Sequence, residues 1–282
     1  MDHALTSAVE ERPAYFSAHT AEAKKLLASG FLRRDFGFDL NCIDEAAAIT
    51  AKIRDAGKRR AQDLWRRSSA VQALACDEGV LSVLSALFGR RAFPFQTLNF
   101  VQGSEQKAHA DTIHFSSSPS LFMCGVWIAL EDVDLENGPL FYYEGSHRLP
   151  VFSVRDIGGD DYVSDYEPFV AKALTEGGFE KKTALMKKGD AFIWSANLFH
   201  GGSAIIDKNR TRLSQVTHYY FEDCCYMTPI REKQGRPYIR EVYDFSTDAF
   251  VKQRMNGAVV RPSPQVALAA RYRNLIKQSL VS

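Results

Sequence analysis

The spacing of apolar positions divides the chain into a helical first third and an extended middle. Residues 21–32 predict a short helix. Asn41 then marks a break, and Asp44 is a candidate N-cap for a longer helix. Its Ala46, Ile49, Ile53 and Ala56 recur at helical spacing and share one face, and Gly57 lets the chain leave it. Ser69 can cap a helix carrying Val71, Leu74 and Ala75. Asp77 can cap the next, with Val80, Leu84, Leu87 and Phe88 on one side and Gly89 as its stop. Residues 1–18 read as a loosely held polar leader, and 20–90 as a helical layer whose apolar stripes can cover another element.

The period changes at Ala92. Residues 92–102 are aromatic and extended, and 103–104 turn. Residues 109–115 read as a strand or strand end, 116–120 as a polar loop, and 121–130 as a strand apolar on both faces. Asn137-Gly138-Pro139 turns into another strand at 140–143. Residues 148–182 have weak periodicity and read as an insertion with one helix near 168–174. Lys188-Gly189-Asp190 turns into 191–194, and His200 follows, before Gly201-Gly202. Residues 212–221 alternate, with Arg212, Ser214, Val216 and His218 on one face. Short strands at this spacing predict a sandwich or barrel core at 92–221. The 226–282 extension is broken by prolines and ends in a helix at 264–280.

Composition narrows this picture. At 282 residues, with 45% hydrophobic and 24% charged residues, the chain fits a single globular domain. A net charge of +1 gives no reason to expect nucleic acid as a partner. No apolar run approaches the roughly 18 residues of a membrane span. Five cysteines, an odd count without a C-x-x-C pair, and an N-terminus with acids and no apolar segment predict free thiols in a cytoplasmic protein. Lys58-Arg59-Arg60 with Arg66-Arg67 is strongly basic; it reads as a solvated helix face or, alternatively, as a clamp for an anionic substrate.

The candidate chemistry lies in the extended half. His109 and Asp111, two residues apart, point to one side of an extended strand, and His200 supplies a second imidazole. Two imidazoles and a carboxylate leave about half of an octahedral shell open, the arrangement of non-haem Fe(II) oxygenases. An H-x-D tripeptide also arises by chance; here Arg212 and Ser214 follow His200 on one strand face. An arginine facing a dry site is a bidentate clamp for a carboxylate. Otherwise it is a surface strand arginine, and Arg210 competes for the role. His114 either lines the substrate pocket or orders its loop, and Tyr142 is either pocket wall or strand aromatic. His147 reads as a turn residue and His218 as a core histidine. Ser146-His147 invites a hydrolase reading, but no G-x-S-x-G elbow accompanies it.

Four segments, HADTIHF (109–115), GVWIALEDVDLENGPLFYYEGSHR (125–148), KKGDAFIWSANLFHGG (187–202) and RLSQVTHYYF (212–221), resemble the phytanoyl-CoA dioxygenase family of Fe(II)/2-oxoglutarate oxygenases. Glu144 departs from the proline usual before Gly145-Ser146-His147. The resemblance implies a mainly β fold with α: a double-stranded β-helix, jelly-roll or cupin-like, with the helical layer packed outside. It implies that His109, Asp111 and His200 bind Fe(II), and that Arg212, assisted by Ser214, holds the distal carboxylate of 2-oxoglutarate. Trp127, Asn99 and Gln96 would flank the co-substrate. Retention of Asp111 favours hydroxylation or desaturation over halogenation, since halogenating relatives lose this carboxylate. The expectation is an O2-consuming hydroxylase of a small or medium organic metabolite, with 148–182 and 103–120 closing over the substrate. The competing reading is a non-catalytic metal- or ligand-binding β-barrel module of the same fold.

Overall fold

In the computed structural model, residues 11–232 and 235–279 are described. Six helices and fifteen strands follow one another among these residues. The helices are α1 (Ala21–Ser29), α2 (Leu40–Ala51), α3 (Ser69–Ala75), α4 (Glu78–Phe88), α5 (Glu167–Glu176) and α6 (Pro264–Ser279). The strands of the core are β1 (Phe31–Asp35), β2 (Arg60–Gln62), β3 (Ala92–Phe100), β4 (Ser116–Ser118), β5 (Met123–Ala129), β6 (Leu140–Tyr143), β7 (Lys181–Ala184), β8 (Asp190–Ser195), β9 (His200–Gly202), β10 (Ser214–Phe221) and β11 (Cys225–Met227). Two hairpins follow: β12 (Tyr243–Asp244) with β13 (Ala249–Phe250), and β14 (Gln253–Met255) with β15 (Ala258–Val260).

The major sheet is antiparallel in the order β1-β8-β5-β10-β3-β2, and a smaller sheet runs β7-β6-β9. Alternation along the strands separates two apolar layers. Val126 and Ile128 of β5 face α3 and α4, in one cluster with Val71, Leu84 and Phe88. Trp127, between them, faces the other way, in a cluster with Leu140 and Tyr142 of β6 and with Phe192 and Trp194 of β8. The sandwich is thus filled from both sheets, and the helical layer covers the outer face of the major sheet. The fold is a mainly β double-stranded β-helix with helices outside it.

Several local expectations change. Residues 21–32 divide: α1 ends at Gly30 (φ +82°), and Phe31 opens a strand paired with β8. A Cβ at Gly30 would lie 2.5 Å from Nδ1 of His147, so packing as well as φ excludes a side chain there. Asp39, not Asp44, caps α2, accepting from the Asn41 amide at 3.1 Å, and Ser68, not Ser69, caps α3. Asp77 and Gly89 bound α4 as expected. Residues 116–118 form a strand against β11 where a loop was expected. The basic segment is not a helix: it forms β2 and a 3₁₀ turn, Leu64–Arg67. Residues 1–10 of the expected leader lie outside the described residues, but Tyr15 is buried edge-on against Phe88, so the leader is packed from there. Ser69–Phe88 is apolar and long enough by composition to cross a membrane, contrary to the expectation from apolar runs. It is two helices interrupted at Cys76-Asp77, and Val71, Leu74, Val80 and Leu84 point into the core.

Candidate metal centre and adjoining cavity

The histidines meet because His109 and His200 form an isolated antiparallel bridge. Each donates its backbone N–H to the other's carbonyl at 3.0 Å, which brings the two rings to 4.7 Å between centroids. Asp111 does not reach them from a continuing strand. The chain turns after Ala110 into a 3₁₀ turn, Asp111–Ile113, and the turn swings the carboxylate between the imidazoles. Oδ1 of Asp111 stands 4.0 Å from Nε2 of His109 and 4.0 Å from Nε2 of His200. One ligand atom from each of the three buried residues lies within 4.8 Å of the others.

The groups behind this triad fix its orientation. Nδ1 of His109 donates to the carbonyl of Lys107, and Nδ1 of His200 to that of Leu198, both at 2.9 Å, which leaves each Nε2 lone pair facing Asp111. Nε1 of Trp194 donates to Oδ2 of Asp111 at 2.7 Å and leaves Oδ1 free to ligate. Burial raises the Asp111 pKa, but the facing imidazoles of His200, His218 and His109 and the indole N–H outweigh it, and the carboxyl is held below its usual range. Burial pushes His200 down to about 4 against the pull of Asp111. A neutral imidazole beside an ionised carboxylate is the protonation state a divalent cation needs, so the donor set fits Fe(II).

Arg212 stands further along the cavity, just ahead of β10. It is 4% exposed; its amide donates to Val101 and its Nη1 to Oγ of Ser214 at 2.9 Å. Its guanidinium lies over Phe100 and Trp127, 5.5 and 5.4 Å from the ring centroids. Nε has no partner, and among the described residues no carboxylate comes within ion-pair distance. Burial lowers its pKa to about 10, with Glu131 pulling the other way. A desolvated cation lacking its counter-ion is costly unless a ligand supplies one. The residues therefore also fit a co-substrate that ends in a carboxylate. Arg210, the competitor, is half-exposed and pairs with Asp134 and Glu136.

The metal centre and Arg212 open into one cavity of about 920 Å³. Trp127, Gln96 and His114 line it. Ser214 is buried beside Arg212. Asn99 is a correction: strand parity turns Leu98 and Phe100 inward and Asn99 outward, where its Nδ2 donates to Thr50 at 3.1 Å. Tyr142 is another: it belongs to the intersheet core, 4.6 Å from Phe31 and 5.1 Å from Phe192 between ring centroids, and does not line the cavity. His147 donates from Nε2 to Leu27, which supports its structural reading. Glu144, where the turn departs from its relatives, is half-buried and pairs with Lys25 and Lys182, and Gly145 still turns at φ +81°.

His218 was read as a core residue, yet it borders the centre. Its Nε2 is 3.8 Å from Oδ2 of Asp111, and its Nδ1 is 3.3 Å from Nε2 of Gln96. Its parity with Arg212 was the signal for it. The C-terminal extension was missed altogether: Tyr238, Arg240, Tyr243 and Phe250 line the cavity, with Val266 and Ala270 of α6 beyond them. From the insertion, Tyr162 reaches the cavity and stands 5.6 Å from His114 between ring centroids.

Known structures share this architecture. The epimerase SnoN from nogalamycin biosynthesis is 19% identical, with a TM-score of 0.60 over 75% of this chain and 88% of that one. The carbocyclase SnoK from nogalamycin biosynthesis is 14% identical, with a TM-score of 0.61 over 79% and 94%. EctD from S. alaskensis is 19% identical, with a TM-score of 0.58 over 80% and 86%. A search of curated protein sequences gave no significant match. The sequence profile described as Phytanoyl-CoA dioxygenase (PhyH) matches residues 38–211, more than half of the chain. With that match and a metal-ligand triad inside a double-stranded β-helix, the chain belongs to the phytanoyl-CoA dioxygenase family.

Proposed function

We propose that the protein is an Fe(II)- and 2-oxoglutarate-dependent oxygenase that oxidises an unactivated C–H bond of a small or medium organic metabolite, with hydroxylation as the outcome. The observation that carries this reading is one cavity holding both His109/Asp111/His200 and the unneutralised guanidinium of Arg212. SnoN and EctD, which share the fold, have been crystallised with alpha ketoglutarate or 2-oxoglutarate, SnoN also with Fe3+. Iron with 2-oxoglutarate and O2 supplies oxidative decarboxylation to succinate and CO2, coupled to oxidation of the substrate.

The chain's own part is positioning. His109 and His200 offer Nε2 because backbone carbonyls hold their Nδ1 protons. Asp111 offers Oδ1 because Trp194 engages Oδ2. Arg212, braced by Ser214 and flanked by Trp127, receives the distal carboxylate of the co-substrate in a desolvated pocket, where a charge-assisted pair is strong. His114 and Tyr162 wall the substrate side, and both pKa shifts have burial as their largest cause: His114 falls to about 4, and Tyr162 rises to about 12. Both side chains are therefore neutral near pH 7, which suits an organic substrate body.

The test is succinate release from 2-oxoglutarate with Fe(II), ascorbate and O2 across a metabolite panel. Turnover should vanish in His109→Ala, and the KM for 2-oxoglutarate should rise in Arg212→Gln. A non-catalytic module of the same fold would bind iron but give no metal-to-ligand charge-transfer band with 2-oxoglutarate under anaerobic conditions. A hydrolase using Ser146 and His147 would keep its activity in chelator.

A further inference from the structure

Beyond the metal centre and Arg212, the cavity wall carries, among the described residues, four arginines, Arg60, Arg66, Arg231 and Arg240, against two carboxylates, Asp63 and Glu241. Glu241 is engaged by Arg271 at 3.2 Å, and Asp63 accepts from the Thr97 amide and from Gln62. Arg66 and Arg240 are the unusual pair. Among the described residues, neither has a carboxylate within ion-pair distance. Arg66 lies over the Trp65 ring at 4.1 Å, and its Nε is buried without a partner. Arg240 lies over Phe115 at 4.8 Å and Phe95 at 5.5 Å, and its Nη1 donates to Oγ1 of Thr228 and the carbonyl of His114. Phe115 in turn lies 4.9 Å from the ring of His218, which borders Asp111.

The wall therefore runs from the metal centre through aromatic faces to guanidinium groups that are partly withdrawn from water and, among the described residues, have no direct ion pair. Burial is the largest influence on both and lowers the pKa of each, while Asp63 pulls the other way on both and Asp248 on Arg66 without pairing directly. Solvated surface arginines need no such arrangement. Partly desolvated ones stacked on rings are pre-organised to pair with an anion, and the rings offer an apolar surface to the rest of the same molecule.

We infer that the primary substrate is an amphipathic organic anion, its carboxylate or phosphate held by Arg66 and Arg240 and its apolar body laid against Phe95, Phe115 and Tyr243. This rests on the oxygenase reading only for the step that follows binding. The basic segment at 58–67, which forms β2 and the following turn, thus acts at the cavity through Arg66.

The test is calorimetric binding of 2-naphthylacetate, 2-naphthyl phosphate and uncharged 2-naphthylacetamide to the full chain. Each is titrated without metal and again, anaerobically, with Fe(II) and 2-oxoglutarate. One of the two anions should bind at least tenfold tighter than the amide in both conditions, and the tighter of them names the group. The preference should fall to within threefold in the Arg66→Gln/Arg240→Gln double variant and persist in Arg240→Lys and in Arg212→Gln. Equal binding of anions and amide to the native chain overturns the inference without any variant. So does a preference that survives the double variant but is lost in Arg212→Gln, since the anion would then occupy the co-substrate seat. A chain that shows the charge preference but releases no succinate keeps this inference and loses the oxygenase reading. A chain that turns over 2-oxoglutarate but does not discriminate anion from amide does the reverse.

Discussion

Gly125 sits in β5 opposite Trp194 of β8. A Cβ at this position would lie 2.9 Å from Nε1 of Trp194 and closer still to its Cε2 and Cζ2 atoms. Carbon contacts settle at about 3.5–4.0 Å, so the substitution Gly125→Ala asks for a shift on the order of 1 Å. The backbone cannot supply it, because β5 is paired on both sides, with β8 and with β10. The indole must therefore move. Overpacking of this kind costs about 1–3 kcal/mol in stability. The second consequence concerns the metal: the displaced N–H is the group holding Oδ2 of Asp111 at 2.7 Å. Losing a support behind a metal ligand typically costs about 10–100-fold in affinity. Metal titration of the apo-protein with Fe(II) or Co(II), paired with urea unfolding, measures both effects. Trp194→Phe removes the donor and part of the colliding ring, so Gly125→Ala should cost less in that background, and the double-mutant cycle should give a coupling of about 1 kcal/mol or more. Metal affinity within twofold of native in Gly125→Ala, or additive effects in the cycle, would refute the reasoning.

Three further outcomes follow from particular contacts. Phe88 stacks on Phe221 at 3.9 Å between centroids where the helical layer meets the sheet, so Phe88→Ala should cost about 3–5 kcal/mol in chemical denaturation. Burial lowers the His147 pKa and outweighs the opposite pull of the Leu27 carbonyl to which its Nε2–H donates, so the folded state prefers the neutral ring. The unfolded chain then binds the proton first: stability is whole above about pH 6.5 and declines as pH falls from there toward the folded pKa. Between pH 7.5 and 5, urea midpoints of the native chain should drop further than those of His147→Gln. Finally, Arg210→Ala should leave the KM for 2-oxoglutarate within twofold of native while Arg212→Gln raises it at least tenfold; steady-state kinetics of both would invert this result if the clamp had been assigned to the wrong arginine.

Local physical chemistry was legible where one element sufficed to express it. Asp77 and Gly89 announced the ends of α4 because capping acts within a single turn. Parity along β10 and the residues leading into it put Arg212, Val216 and His218 on the cavity side because side-chain direction in extended chain alternates whatever its partners are. The ligand types of the metal triad could be read in the same way, since their chemistry belongs to the side chains themselves. What the tertiary structure decided were encounters between distant segments. Phe31–Asp35 is a strand because β8 offers it an edge, not because its own pattern alternates. Asp111 faces both imidazoles through a turn, where a strand was expected, and it is the His109–His200 bridge that makes the turn productive. Asn99 and Tyr142 have plausible chemistry but look into the core, and Arg240 and Tyr243, from an extension with no motif, look into the cavity. Sequence fixes which groups a segment can offer and on which face; which of those groups share one dry space depends on non-local packing, and no window of the chain contains that information.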